Sequence, residues 1–252
     1  MTDRWRLSAN LATLANALLG VGAVLYVLAG NKLWAMLLVV VAIGFDGLDG
    51  LLSRRSPTPA GTFGRVADSV ADAITFGVAP AFLIAVHTGD VATWQPWEPV
   101  ALALAALYLA AAVARLTYFT ARGYDRGYFV GVPTPQTVLG LVVALLFHDS
   151  PAFQSVQPIG LFVGVVILSV MMVVPVPYPK IRRGSPLRWP MALTAVFAAL
   201  ALVPLQFHLA TGSALYDFTY GASLALLVGV ASYYLYGPFT VPRAPKAEVP
   251  PK

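Results

Sequence analysis

The chain alternates apolar runs with short polar, Gly- or Pro-containing breaks. A helix that crosses the hydrocarbon core of a bilayer needs about 20 apolar residues at about 1.5 Å each. Runs of this kind cover Asn10 to Ala29, Leu33 to Leu52, a third starting near Gly64, and Val100 to Thr120. Others cover Gln136 to Phe147, Ile159 to Val174, Trp189 to Leu209 and Tyr220 to Tyr236. The pattern predicts an all-α, polytopic transmembrane helix bundle of about eight spans. Gly30-Asn31-Lys32 reads as a tight turn, and Pro57 and Pro59 exclude helix between the second and third runs. Pro80 predicts a bend in the third span. The segments 121–135, 148–158 and 175–188 read as loops and connectors. The first run, followed by further spans, reads as a retained helix and not a cleaved leader.

Composition agrees with a membrane protein. The 252 residues are 58% hydrophobic and 11% charged, where soluble domains carry about 25% charged residues. There is no cysteine, which excludes disulfides and thiolate chemistry. The net charge of +5 would suit nucleic acid, but its placement points elsewhere. With the N-terminus in the cytoplasm and eight spans, every Lys and Arg except Lys32 lies on or toward the cytoplasmic side, as the positive-inside rule expects. Asp90, Glu98, Asp149 and Asp217 fall on the opposite side. This places both termini and the polar end of the second and third spans in the cytoplasm, with no role for nucleic acid.

Against this apolar background, four carboxylates stand out: Asp46 and Asp49, spaced i,i+3, and Asp68 and Asp72, spaced i,i+4. Each pair shares a helix face, and carboxylates inside membrane spans are costly and mark function. Two such faces turned together form an oxygen cage suited to Mg²⁺ or Mn²⁺. An ion channel or ion-coupled carrier is the competing reading of intramembrane carboxylates. Purely structural pairing is weaker, since Arg54 and Arg65 cover only part of the four charges. On the first span, Asn10, Thr13 and Asn16 form a polar stripe, read either as helix-to-helix hydrogen bonding or as part of a ligand pocket. Arg115, inside the fourth span, is either a snorkelling side chain or an anion-binding one. His87, His148 and His208 read as ordinary.

The run Asp46-x-x-Asp49-Gly50-x-x-Ser53-Arg54, followed by Gly64-x-x-x-Asp68-x-x-x-Asp72, resembles the signature of the CDP-alcohol phosphatidyltransferase family. Ser53 stands where the family usually has Ala, and the 55–63 spacer has nine residues, one more than usual. The resemblance covers about residues 8 to 185 and implies that family's fold. It also implies two divalent ions held by Asp46, Asp49, Asp68 and Asp72, with Asp72 as general base. The CDP-lipid side of the site would involve Asn10, Thr13, Asn16, Gly50, Ser53, Arg54 and Gly64. The acceptor side would involve Arg115, Arg122, Asp125 and Arg126. NLATLANALLG, DSVADAITFGVAPA, the loop Phe129-Val-Gly131-Val-Pro133-Thr-Pro135 and the PxPYPK segment resemble the phosphatidylserine synthase branch. That branch implies L-serine as acceptor, CDP-diacylglycerol or an archaeal counterpart as donor, and two extra C-terminal helices. Glycerol 3-phosphate, inositol or its phosphate, and choline are the other acceptors used in the family. The expected layout is one transmembrane catalytic domain over 1–236, with a six-helix core at 8–185, extra helices at 189–236 and a disordered tail at 237–252. Membrane lipids are the expected surroundings, and a homodimer is compatible with this layout.

Overall fold

The computed structural model describes residues 3–57, 61–87, 97–122, 128–148, 159–179 and 214–241. The N-terminal apolar runs form two antiparallel helices. Helix α1, Arg4–Leu28, starts where the Asp3 carboxylate accepts from the Trp5 and Arg6 amides, satisfying donors that a helix start leaves free. It ends in a paired turn: Gly30 N–H donates to Val27 O and Asn31 N–H to Tyr26 O, with Gly30 at φ 77°. That left-handed residue closes the helix and reverses the chain. Asn31 then caps α2, Lys32–Ser53, by accepting from Trp34 N–H, and Trp34 stacks on Tyr26 across the turn.

The third apolar run folds as α3, Thr62–Asp72, a π-helical turn over Ala73–Val78, and α4, Ala79–His87. The expected bend at Pro80 takes this form. Proline has no amide hydrogen for Phe76 O, the carbonyl four residues back. That carbonyl instead accepts from Tyr108 Oη at 3.4 Å. A π-turn carries extra backbone per turn, so the apolar face of α4 is rotated relative to the carboxylate face of α3. Phe76, Leu83 and Ile84 can then enter the core while Asp68 and Asp72 face α2.

Helix α5, Glu98–Arg122, and the shorter α6, Thr134–His148, and α7, Ile159–Val173, complete the core with α8, Ala214–Tyr236. Pro135 lies in the first turn of α6, where a missing amide hydrogen costs little. The core joins Met36 and Val39 of α2, Leu83 and Ile84 of α4, Tyr108 of α5, Leu139 and Leu141 of α6, Val165 of α7 and Leu226 of α8. Large apolar side chains also point outward, including Leu11, Leu14, Leu18 and Leu25 of α1. In water such a surface would aggregate; facing lipid it is the expected state.

Among the described residues four helical segments are long and apolar enough to cross a membrane: Arg4–Leu28, Lys32–Ser53, Thr62–Val86 and Glu98–Ala121. The count therefore differs from the eight spans expected. Helices α6 and α7 have 15 residues each, about 22 Å at the helical rise, against a hydrocarbon core of about 30 Å. The run from Trp189 to Leu209 lies outside the described residues.

One element leaves no mark in the apolar pattern. Tyr128–Val130 (β1) pairs antiparallel with Pro177–Pro179 (β2), joining two segments that read as loops. Two prolines in β2 disguise it, since proline enters a sheet only at an edge. The ladder continues through Gly131 N–H to Val176 O and Val132 N–H to Met171 O. Gly131 sits at φ 73°, and a Cβ there would collide with the Met172 carbonyl. Gly131→Ala is expected to destabilise the protein by at least about 2 kcal/mol, measured as thermal unfolding in detergent. An unchanged transition would remove this ladder from the stability of the fold. Gly237–Thr240, expected to begin the tail, forms a 3₁₀ turn whose Gly237 is buried against Tyr178.

Candidate active site

The two carboxylate pairs meet. Asp46 and Asp49 sit in the last turns of α2, and Asp68 and Asp72 in the second half of α3. Carboxylate oxygens of Asp46, Asp68 and Asp72 lie within 4.8 Å of one another. Asp49 is set beside this trio, against Asp68, and is almost fully buried. Like charges this close repel by on the order of 3 kcal/mol per pair at an effective dielectric of about 20. One acceptor, Asp68 Oδ1, is buried and has no hydrogen-bond partner among the described residues. An all-oxygen cluster with an orphaned carboxylate oxygen fits a hard divalent cation.

Helix α1 supports the cluster. Thr13 Oγ1 donates to Asp49 Oδ2 at 2.9 Å, and Asn16 Nδ2 donates to Asp72 Oδ1 at 3.1 Å. The close approach that allows this comes at Gly20, where any Cβ would strike Thr75 of the π-turn. Thr75 Oγ1 in turn donates to Asn16 O at 2.9 Å. Two of the three polar residues on the α1 stripe thus orient carboxylates. Asn10, one turn earlier, is exposed.

The remaining signature residues follow Asp49 at the end of α2 or precede Asp68 on α3. A Cβ at Gly50 would reach only the Arg54 guanidinium, at 3.9 Å, and one at Gly64 only Arg6 Nη2, at 3.8 Å. Both are ordinary contacts, so helix packing does not require glycine at either position. Ser53 Oγ accepts from Arg6 Nη1 at 3.2 Å. Arg6, counted from sequence only among the cytoplasmic charges, therefore reaches two signature positions. A lone arginine in a short basic segment carries no sign of this.

Arg115 does not snorkel. It is only 6% exposed, on α5. Its Nη1 donates to Thr134 Oγ1 at 2.8 Å, and its guanidinium lies over the rings of Phe119 and Phe129 at 5.7 and 5.8 Å. It interacts electrostatically with Asp72 and Asp46, so a buried cation acts on the carboxylate cluster. Arg122 ends α5, and Asp125 and Arg126 lie outside the described residues.

The arrangement joins acidic, metal-ready oxygens to a buried guanidinium at one end of a membrane bundle. It suits chemistry on a phosphorylated lipid. The profile of the CDP-alcohol phosphatidyltransferase family matches residues 6–175. A CDP-diacylglycerol–serine O-phosphatidyltransferase of Helicobacter pylori is 30% identical over 204 residues, 78% of this chain and 82% of its own. Its namesake in Mycobacterium tuberculosis is 29% identical over 215 residues, 79% and 72% of the two chains. An archaetidylserine synthase of Methanothermobacter thermautotrophicus is 27% identical over 173 residues, 68% and 69% of the two.

Proposed function

The chain belongs to the CDP-alcohol phosphatidyltransferase family, and from that premise we propose that it transfers the phosphatidyl group of CDP-diacylglycerol to L-serine, releasing CMP. The observation that carries the choice of acceptor is the shared serine-transferase name of relatives from separate bacterial lineages, with a serine-lipid synthase among archaeal ones. In the reaction, the serine hydroxyl oxygen forms a bond to the phosphatidyl phosphorus. The bond from that phosphorus to the bridging oxygen of the diphosphate breaks, and CMP departs with the electron pair.

Asp46, Asp49, Asp68 and Asp72 are the residues that would hold two divalent ions, Mg²⁺ or Mn²⁺. When bound, these supply charge neutralisation for the diphosphate and the leaving CMP. Asp72 takes the proton from the serine hydroxyl, a role for which its place between Asn16 and the other carboxylates suits it. Thr13 and Asn16 hold Asp49 and Asp72 in orientation. Gly50 and Gly64 leave room for the nucleotide, with Ser53, Arg54 and Asn10 at its edge. Arg115 pairs with the serine carboxylate, as a planar guanidinium does well; Arg122, Asp125 and Arg126 complete the acceptor side.

The same reading keeps the catalytic domain at 1–236, its core at 8–185, the extra helices at 189–236 and a tail that starts after the Gly237–Thr240 turn. It also keeps eight crossings, with 189–209 the seventh. The basic side faces the cytoplasm, where serine and the nucleotide head arrive. A second copy of the chain as partner is compatible with it.

The test supplies purified protein with CDP-diacylglycerol, or its ether-linked counterpart, and one labelled alcohol per reaction. The alcohols are serine, glycerol 3-phosphate, inositol, inositol 1-phosphate and choline. Serine is expected to give both CMP and a labelled lipid, at least tenfold faster than any other, a difference of about 1.4 kcal/mol in transition-state stabilisation. Product from a phosphorylated alcohol and none from serine would overturn the acceptor while leaving the transferase class. No CMP from any alcohol, together with ion flux in liposomes, would favour a carrier.

A further inference from the structure

The family profile ends at residue 175, before α8 begins. We propose that Tyr233 of α8 is an acceptor-binding residue: with Arg115 it forms a buried two-donor seat for the carboxylate of the acceptor. This rests on the reading of the site as an amino-acid transferase.

Among the described residues, two buried hydrogen-bond donors have no partner, Arg115 Nε and Tyr233 Oη, and Phe129 packs against both Arg115 and the cluster that holds Tyr233. Buried polar groups in folded proteins almost always have partners, so each orphan requires an explanation. The two side chains are 6% and 3% exposed and interact electrostatically. Neither is loosely placed. Arg115 is fixed by Thr134, which uses Nη1, and by two aromatic rings that pack on each other to one side of the guanidinium; Nε is left. The Tyr233 ring packs against Tyr178 at 5.5 Å and Tyr234 at 6.3 Å, in a cluster with Val132.

The neighbouring phenols show that local geometry offers acceptors. Tyr178 Oη donates to Tyr234 O at 3.2 Å, and Tyr234 Oη donates to Gln136 O at 2.8 Å. Tyr233 alone of the three keeps its hydroxyl without a partner among the described residues. A cationic N–H and a neutral O–H, presented from two helices, match the two oxygens of a carboxylate. Arg115 also interacts with Asp72 and Asp46. An amino acid held there by its carboxylate stands beside the carboxylate cluster, with its hydroxyl on the side of Asp72.

The β1–β2 ladder holds this seat closed. Phe129 of β1 covers the guanidinium, and Tyr178 of β2 supports the Tyr233 ring. Two long-range contacts therefore join α5, the ladder and α8 around one anion.

The test uses the full chain in mixed micelles. Tyr233→Phe removes one hydroxyl and keeps the ring. Tyr178→Phe, which removes a hydroxyl already satisfied by Tyr234 O, is the packing reference. CMP release is followed against serine at saturating CDP-diacylglycerol, and against CDP-diacylglycerol at saturating serine. The analogue 2-amino-1,3-propanediol, which lacks the carboxylate, is run alongside. Tyr233→Phe is expected to raise KM for serine about tenfold, as loss of a hydrogen bond to a charged group does. KM for CDP-diacylglycerol should stay within twofold, and the preference for serine over the diol should shrink by the same factor. Tyr178→Phe should leave KM for serine within twofold. The proposal is overturned if KM for serine is unchanged in Tyr233→Phe, if KM for CDP-diacylglycerol rises instead, or if both variants lose activity alike. If the wild type uses a phosphorylated alcohol and not serine, the acceptor reading fails by itself. The seat is then judged by whether Tyr233→Phe raises KM for that anion.

Discussion

Protein carrying Asp72→Asn is expected to lose phosphatidyl transfer by a factor of about 10²–10⁴, the usual contribution of a positioned general base, while still binding CDP-diacylglycerol. The substitution keeps size and planarity but removes charge and basicity. The amide can still meet Asn16 Nδ2, which lies 3.1 Å from the present carboxylate, so the α1 contact survives. Two measurements separate the roles: single-turnover CMP release, and equilibrium binding of the nucleotide lipid. Asp46→Asn supplies the contrast. Asp46 shares the trio of carboxylate oxygens, while the α1 donors Thr13 and Asn16 go to Asp49 and Asp72. Its loss should weaken metal dependence and nucleotide-lipid binding together, with activity partly restored at higher Mg²⁺ or Mn²⁺. Near-normal turnover in Asp72→Asn would remove that residue from the base role. Identical behaviour of the two variants would mean that no separate base is assigned among the four.

The second large effect is metal removal. In excess chelator, transfer should fall to background, and Mg²⁺ or Mn²⁺ should restore it. The reason is electrostatic: the oxygens of Asp46, Asp68 and Asp72 lie within 4.8 Å of one another, and Asp68 Oδ1 is buried with no donor among the described residues. An anionic diphosphate does not enter such a place unless cations offset the charge. A readout independent of turnover follows by linkage. Saturating metal should raise the thermal unfolding temperature, by a stabilisation of about 2.7 kcal/mol at a hundredfold excess over Kd. The shift should disappear in Asp46→Asn. Full turnover in chelator, with no thermal shift on adding either ion, would end the account of these carboxylates as metal ligands.

The sequence by itself determined the membrane class, the places of the long apolar helices and the four aspartates with their spacing. These are local properties. Hydropathy is summed along a run, and an i,i+3 or i,i+4 pair shares a face whatever the rest of the chain does. The meeting of the two pairs was an expectation, raised by the shared faces and strengthened by the family resemblance, and the structure places three of the four within one cluster. Tertiary structure alone decided what surrounds them. The stripe of α1 was ambiguous because hydrogen bonds to a helix and to a ligand need the same side chains; packing at Gly20 and Thr75 turned Thr13 and Asn16 onto Asp49 and Asp72. Arg115 was equally ambiguous between lipid-surface and buried roles, and Thr134, 19 residues on, with Phe129 of β1 made it buried. The π-turn over Ala73–Val78 goes with Pro80, which has no amide hydrogen for Phe76 O and leaves that carbonyl to Tyr108 Oη. The pairing of Tyr128–Val130 with Pro177–Pro179, and the arrival of Tyr233 from α8, join residues far apart in the chain. Periodicity records which face of an element is apolar; it carries no record of which distant element that face will meet.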